Sequence, residues 1–254
     1  MPSVSIITPT YNCAKFIVQT IESVLAQSYT DWEMIISDDC STDNTQEVIK
    51  PYLEADSRIK YICNDKNSGA AITRNNALRV AQGRWIAFLD SDDLWAPEKL
   101  ERQITFMEQN GYAFSYTDYT VIDENAQSLD QMVIGPNCIT KLGMYAYCWM
   151  GCLTVMYDST VVGLVQIADI KKNNDYAMWL KVAAKADCYR LPQPLAQYRK
   201  RGGSISNHSY MSLIKWHYRL FRDADNRGVF LSMLLMFVNI LCGVIKKIIY
   251  VKSI

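Results

Sequence analysis

Trp85-Ile86-Ala87-Phe88-Leu89-Asp90-Ser91-Asp92-Asp93 joins an apolar run to a cluster of carboxylates. Five consecutive apolar residues ahead of a polar turn read as a strand buried on both faces. Carboxylates massed at the end of such a strand repel one another and lose their hydration, which is costly. A divalent cation would offset that cost. Two carboxylates one residue apart offer only oxygen ligands, which suits a hard ion such as Mg²⁺ or Mn²⁺. Such ions commonly serve phosphates, so the run points to a metal-dependent enzyme acting on a nucleotide diphosphate. The plainer alternative is that Asp92 or Asp93 caps the helix expected from about Pro97.

Upstream, the same pattern occurs twice more. Val4-Ser5-Ile6-Ile7-Thr8 is a short apolar strand that runs into the turn Pro9-Thr10-Tyr11-Asn12, and Glu33-Met34-Ile35-Ile36-Ser37 is a second strand ending in Asp38-Asp39. Between them Ile17, Ile21, Val24 and Leu25 recur at helical spacing. Ser41-Thr42-Asp43 offer caps for a helix through Val48, Ile49 and Leu53, which Pro51 should kink or shorten. A third strand, Arg58 to Cys63, leads through Asn67-Ser68-Gly69 into a helix that Gly83 ends. Strand-helix alternation with short links implies an α/β fold with a parallel, doubly wound sheet. Ligands collect at the carboxyl edge of such sheets. All three polar clusters fall at that edge, which capping alone does not explain.

Downstream the alternation loosens. A helix over 97–110 closes at Asn110-Gly111, residues 113–116 form a strand, 121–137 is polar and turn-rich, and Leu153 to Tyr157 is another strand. Asp175 opens a helix whose apolar face carries Trp179, Leu180 and Ala183, and Pro192 and Pro194 mark its exit.

The 254 residues are 50% apolar and 20% charged, enough for a sizeable core. The eight cysteines contain no Cys-x-x-Cys pair, and with two histidines a structural zinc site is not expected. Cysteines inside predicted elements fit a reducing cytoplasm, and Met1 to Val4 lacks the basic region of a signal peptide. The net charge of zero conceals a polarity. From Arg199 onward ten Lys/Arg face two Asp/Glu, leaving 16 against 24 in residues 1–198. The basic tail should meet an anionic surface, and its apolar content selects a membrane over nucleic acid.

No Gly-x-Gly-x-x-Gly follows the first strand and no Walker A loop is present, which argues against nicotinamide-binding and P-loop sites. Tyr11 instead offers a ring to stack on a nucleobase, and Asp39 an acceptor for the imino proton of uracil. Taken together, Val4 to Asn12, Asp38-Asp39 with Ser41-Thr42-Asp43, Arg74-Asn75, Phe88 to Asp93, Asp175 to Leu180, and Tyr198-Arg199 with Ser204-Ile205-Ser206 resemble the family 2 glycosyltransferases of GT-A fold. Within that family the chain is most similar to small bacterial enzymes that build surface polysaccharide or lipopolysaccharide.

The resemblance implies a GT-A-like, mostly parallel sheet with a helical C-terminal tail, and an inverting transfer from a nucleotide sugar. Residues 1–112 would bind the donor, 113–206 the acceptor, and 207–254 would form the basic and apolar tail. Pro9 and Tyr11 would line the nucleotide pocket, Asp39 would bind uracil, and Arg74 would approach the uridine or diphosphate. Asp90, Ser91 and Asp92 would contact the donor, with Asp90 and Asp92 holding Mn²⁺ or Mg²⁺. Asp175 matches the catalytic aspartate. The family usually has Glu before it, where this chain has Asn174. Arg199 and Ser204 would belong to a loop that closes over diphosphate or acceptor, although Arg199, Lys200 and Arg201 could equally face lipid headgroups. The chemistry needs a cation to neutralise the departing diphosphate and a carboxylate to deprotonate the acceptor hydroxyl. A sugar-nucleotide pyrophosphorylase is the alternative enzyme, but it would want a Gly-rich, basic phosphate loop; a non-catalytic nucleotide-sugar scaffold is the other.

Val229 to Ile245 carries no charge, and Lys246, Lys247 and Lys252 follow. That run falls short of the about 20 residues a spanning helix needs. Ser232, Asn239, Gly243 and Lys246 share one helical stripe, which a span does not require. Lys215, Arg219, Arg222 and Arg227, with Trp216, Tyr218 and Phe221 between them, suit an interfacial anchor on the inner, anionic face of the cytoplasmic membrane. A helix packed on the body, or the seam of a homodimer, is the other reading. The acceptor is then expected to be a glycan, lipid-linked at that face.

Overall fold

The structure, a computed structural model, describes residues 1–202 and 210–254. Its first half alternates β1 (Val4–Thr10), α1 (Ile17–Leu25), β2 (Trp32–Asp38), α2 (Thr45–Ala55), β3 (Ile59–Cys63), α3 (Ala70–Val80) and β4 (Trp85–Phe88). These strands lie parallel in the order β3-β2-β1-β4. Successive residues point to opposite faces, so each strand feeds two cores. Ile6, Met34, Ile36 and Ala87 pack with Ile17, Ile21 and Val24 of α1 on one side. Ile7, Ile35 and Phe88 pack with Ala77 and Leu78 of α3 on the other. Helices on both faces explain why every residue of β2 and β4 is buried.

Of two punctuation residues, Pro51 does not shorten its helix and Gly83 does not end the one before it. Pro51 sits inside α2, which runs four residues past it. The missing N–H removes one helical bond, but Ile49, Tyr52 and Leu53 still pack on the core beside α1 and hold the segment helical. Gly83 does not end α3, which stops at Val80. It lies against β1, where a Cβ would fall 2.4 Å from the Ser5 nitrogen.

The second half continues with β5 (Leu94–Trp95), α4 (Lys99–Asn110), β6 (Phe114–Ile122), β7 (Ser128–Val133), β8 (Cys138–Ile139), α5 (Lys141–Ala146), β9 (Met156–Asp158), α6 (Ser159–Val162), α7 (Asn174–Ala183) and β10 (Cys188–Arg199). Gly111 closes α4 in the left-handed region, at φ 67°. β9 joins β4 antiparallel and β6 joins β9 antiparallel, while β10 runs parallel to β6. The sheet is therefore mixed and mostly parallel.

Several readings of this half needed correction. The strand at 113–116 runs on to Ile122, and the polar stretch beyond it turns through 123–127 and returns as β7. Asp123 makes that turn, accepting from the backbone N–H of Asn125 and Gln127 at 2.8 and 2.9 Å. The strand over 153–157 shrinks to β9, behind a single 3₁₀ turn at Cys152–Thr154. Pro192 and Pro194 lie within the 12-residue β10, where the register with β6 shifts on either side of Pro194. A bulge tolerates a residue that cannot donate.

The tail comprises α8 (Tyr210–Arg219), a π-helical turn (Leu220–Ala224), α9 (Val229–Ile249) and β11 (Val251–Ser253). Leu220 and Phe221 are fully buried in the same core as α7. β11 pairs antiparallel with β7, so the chain returns to the sheet after α9. At 21 residues α9 is longer than the uncharged run and long enough, by length and composition, to cross a membrane. Its apolar side faces outward, with Phe230 78% and Phe237 67% exposed, whereas Ser232 and Asn239 are fully buried.

Candidate active site

The carboxyl ends of β1, β2 and β4 meet at one edge of the sheet, and β10 delivers Arg199 to the same place. β1 ends in Pro9 and Thr10, after which the loop is tied to the one following β2. Asn12 Oδ1 accepts from the Thr42 N–H at 2.8 Å, Asn12 N–H donates to Ser41 Oγ, and Ala14 N–H to Asp43 Oδ2. Asn12 takes φ 48°, a conformation asparagine tolerates. Pro9 is half-buried and the Tyr11 ring is exposed beside them. Asp43 also accepts from Thr45 N–H at 3.0 Å, tying down the first residue of α2.

Asp38 and Asp39 diverge. Asp38 accepts from Ser41 N–H and from the Tyr61 hydroxyl, whose pKa burial and this carboxylate raise. Asp39 is buried and faces the entrance of α3. Its Oδ1 accepts from Asn64 Nδ2 and Ser68 N–H at 2.8 and 2.7 Å, and its Oδ2 from Gly69 N–H at 2.8 Å. It therefore orders the loop entering α3, and one acceptor position on Oδ2 stays open. Ser68 and Gly69 also line a cavity of about 610 Å³ shared with residues 169–171 and with Trp216 and Arg219 of the tail.

At the end of β4 the carboxylates do not cap a helix: α4 starts at Lys99, with Glu98 at its N-cap position. Asp90 and Asp92 are the accessible pair, their side chains 32% and 17% exposed. Ser91 is buried and its carbonyl accepts from the Cys13 thiol, whose pKa burial pushes up to about 11. Asp93 points inward and accepts from the Arg199 N–H at 2.8 Å. Burial, and then the neighbouring aspartates, hold Asp93 well above the usual carboxylate range; burial and Asp90 raise Asp92.

No group of three or more His, Cys, Asp or Glu placed to hold a metal occurs among the described residues. Two carboxylates are nevertheless what Mg²⁺ or Mn²⁺ uses when water and substrate phosphates complete its shell, so the donor set fits.

Arg74 links this turn to α7. It is buried on α3, its Nη2 lies 2.5 Å from Asp90 Oδ1, and its Nη1 donates to Asn174 Oδ1 at 2.8 Å. Burial works against its charge, but Asp90, Cys152 and Asp175 outweigh it and raise its pKa. Arg74 is thus a buried, paired residue of the helix. Asn174, where a glutamate was expected, is the neutral acceptor that fixes it. Asp175 is the next residue, in the first turn of α7, where the helix dipole favours a carboxylate. Among the described residues its side chain has no hydrogen-bond partner. Trp179 of the same helix is core, packed edge-on against Phe88.

Arg199 corrects the expectation of a mobile or lipid-facing residue. It is 1% exposed, and its guanidinium donates to the carbonyls of Asp92 (2.7 Å), Asp123 and Glu124 and to Gln19 Oε1 (2.7 Å). It clamps β10 onto the Asp90–Asp93 turn. Arg201, partly exposed and 2.7 Å from Asp92 Oδ2, is a basic residue with access to the site. Ser204, Ile205 and Ser206 lie outside the described residues. Sequence reasoning missed Gln19 altogether and, for Asn174 and Asp93, the partners they hold; only the pairing of distant segments identifies these roles.

A family model described as glycosyl transferase family 2 matches residues 5–145. Bacillus subtilis TuaG, which carries the name of a teichuronic acid biosynthesis glycosyltransferase, is 40% identical over 97% of this chain and 97% of its own. The Escherichia coli UDP-Glc:α-D-GlcNAc-diphosphoundecaprenol β-1,3-glucosyltransferase WfgD is 39% identical over 83% of this chain and 82% of its own. Among solved structures, S. aureus TarS 1-349 in complex with UDP-GlcNAc matches with TM-score 0.70 and 22% identity, covering 93% of this chain and 70% of that one. Mannosyltransferase PcManGT from Pyrobaculum calidifontis, in complex with GDP-Man and Mn²⁺, matches with TM-score 0.66 and 17% identity, over 93% and 69%. At such identities the likeness to the solved structures is one of fold.

Proposed function

The chain belongs to glycosyl transferase family 2, and from that premise we propose that it moves a sugar, with inversion, from a UDP-sugar to a lipid-linked glycan at the inner face of the cytoplasmic membrane. It is a glycosyltransferase of GT-A fold acting on a nucleotide sugar; the donor base, the metal, the acceptor and the membrane are the proposed part. The observation that carries the reading is the Arg74 bridge, which holds Asp90 of the acidic turn and the residue before Asp175 within one buried hydrogen-bonded unit.

In this reading the exposed Tyr11 ring and Pro9 receive the uracil, and the open acceptor position of Asp39 takes its imino proton. Asp90 and Asp92 would hold Mn²⁺ or Mg²⁺, which when bound neutralises charge on the departing diphosphate. Arg201 can leave Asp92 and pair with the same phosphates. Across the sugar, Asp175 accepts the proton of the acceptor hydroxyl as that oxygen attacks the anomeric carbon. Support for the donor and acceptor comes from relatives: WfgD is named for UDP-Glc and a diphosphoundecaprenol-linked sugar, and TarS is described with UDP-GlcNAc. Support for the membrane comes from α9. Its polar side is tied to the body, so its apolar side suits a helix lying in the interface and not across it.

The test is UDP release from a panel of nucleotide sugars, with Mn²⁺ and with chelator, combined with UDP binding. Asp92→Asn should abolish transfer and weaken Mn²⁺-dependent UDP binding. Asp175→Asn should lower turnover about 10²–10⁴-fold with UDP affinity near wild type. Full activity in excess chelator would remove the metal from the reading. UDP affinity that falls in step with turnover in Asp175→Asn would remove the base.

A further inference from the structure

The outward side of α9 is apolar, but its inward side carries groups that an anchor does not need. Asn239 is fully buried, and its Nδ2 donates to the Tyr145 carbonyl at 2.9 Å and to the Tyr176 hydroxyl at 3.0 Å. Tyr176 in turn donates to the Met144 carbonyl at 2.7 Å. One amide therefore ties α9 to the last turn of α5 and the first turn of α7. Further along the stripe, Gly243 lies against the Tyr147 ring, where a Cβ would come within 3.1 Å, and Lys246 Nζ donates to the Cys148 carbonyl at 3.4 Å. The Tyr176 ring also meets Phe221 edge-on at 6.2 Å. A buried amide is costly unless it is bonded, and here the Asn239 Oδ1 has no partner among the described residues. An apolar residue would pack there without that cost. What Asn239 provides is direction, not burial.

Tyr176 follows Asp175 in the chain, and both belong to the first turn of α7. We propose that Asn239 is a positioning residue for sugar transfer: by holding the Tyr176 hydroxyl it fixes the first turn of α7 and so aims the Asp175 carboxylate at the acceptor. The tail helix is then part of the catalytic machinery as well as the contact with lipid. The inference rests on Asp175 being the base. It differs from a tether, which would raise local concentration alone.

The experiment uses full-length protein in detergent, with UDP-glucose and UDP-GlcNAc as donors and a short, water-soluble GlcNAc diphosphate as acceptor, so that membrane attachment does not enter the rate. Misplacing a reacting group by about 1 Å can cost about 10²-fold. Asn239→Ala should accordingly lower kcat about tenfold to a hundredfold, with donor KM unchanged. Tyr176→Phe, which keeps the ring and its packing, should lower kcat similarly. The double variant should be no worse than the poorer single, because both remove one link. Wild-type kcat in Asn239→Ala, or losses that multiply in the double variant, would overturn the proposal. UDP affinity and a cooperative melt report folding; if Asn239→Ala does not fold, wild-type kcat in Tyr176→Phe overturns it instead. Asp175→Asn is run alongside. If that variant turns over normally, the base reading itself fails; if it is inactive while Asn239→Ala is normal, only the positioning role fails.

Discussion

α1 and α9 are both two-sided helices laid on the same body, with opposite sides inward. α1 buries Ile17, Ile21 and Val24 and exposes Glu22. α9 buries Ser232 and Asn239 and exposes Phe230, Phe237, Leu241 and Ile248. In water only the first arrangement is favourable, since each Å² of apolar surface left exposed forgoes about 25 cal/mol. α1 sits between the core and water, and the proposed membrane contact would give the exposed apolar side of α9 an apolar surrounding as well. The comparison also separates two kinds of inner contact. The strands under α1 are joined by ladders and close packing, whereas α9 meets α5 and α7 through directed hydrogen bonds that can set an angle.

The largest effect should come from making α9 resemble α1. Replacing Phe230, Phe237 and Ile248 together by Ser removes three exposed side chains, each worth about 1.5–3 kcal/mol when buried. Flotation with anionic vesicles should then fall by about 10³-fold or more in partition. A full-length wild type that ignores vesicles but runs as a discrete dimer in light scattering would break the comparison and make this side a seam between copies.

Next in size is the core beneath α1. Ile21→Ala should cost about 2–5 kcal/mol in denaturant unfolding, because β1 and β2 cannot collapse into the space. A loss under about 1 kcal/mol would mean that this half is packed more loosely than its burial implies.

A smaller effect concerns acid. Glu33 of β2 is buried and accepts from Lys60, Ser5 and the Gln82 N–H at 2.6, 2.6 and 2.7 Å. Burial would raise its pKa, but these bonds together hold it below its ordinary value of 4.5. Its contribution to stability is thus present above pH 4.5 and lost as the pH falls through the lower folded value. Glu33→Gln should cost about 1 kcal/mol at neutral pH and flatten the loss of stability below pH 4.5. An unaltered acid limb would place that sensitivity outside the strand half. The smallest effect is Phe237→Ala in detergent, within about 0.5 kcal/mol; a larger loss of stability would show that its outward side packs within the protein.

The strand half was legible because its signals are local. Continuous burial along Val4 to Thr8, Glu33 to Ser37 and Trp85 to Leu89 marks strands covered on both faces, and the carboxylates follow directly where each of the latter two ends. Asp90 and Asp92 stand out on that basis, and Asp175 by resemblance alone. β5, β7 and β10 do not stand out. β5 is two residues long, β7 is exposed and polar, and β10 contains two prolines; each is a strand only because of what it pairs with. Arg199 read as a loop cation for the same reason, since its five acceptors come from residues 19, 92, 93, 123 and 124, of which Asp93 takes the backbone N–H.

By itself the sequence determined a parallel α/β half with carboxylates at the strand ends, because short unbroken apolar runs alternating with helical periodicity need no distant partner to be read. It also determined that the tail helix is two-sided, and it placed Ser232, Asn239, Gly243 and Lys246 on one stripe. Only the tertiary structure decided that this stripe faces inward, that Asn174 holds Arg74 across 100 residues, and that Arg199 is a clamp. Periodicity reports how a helix divides its polar and apolar residues. Which side turns inward depends on the groups waiting there, and those come from segments the local pattern does not contain.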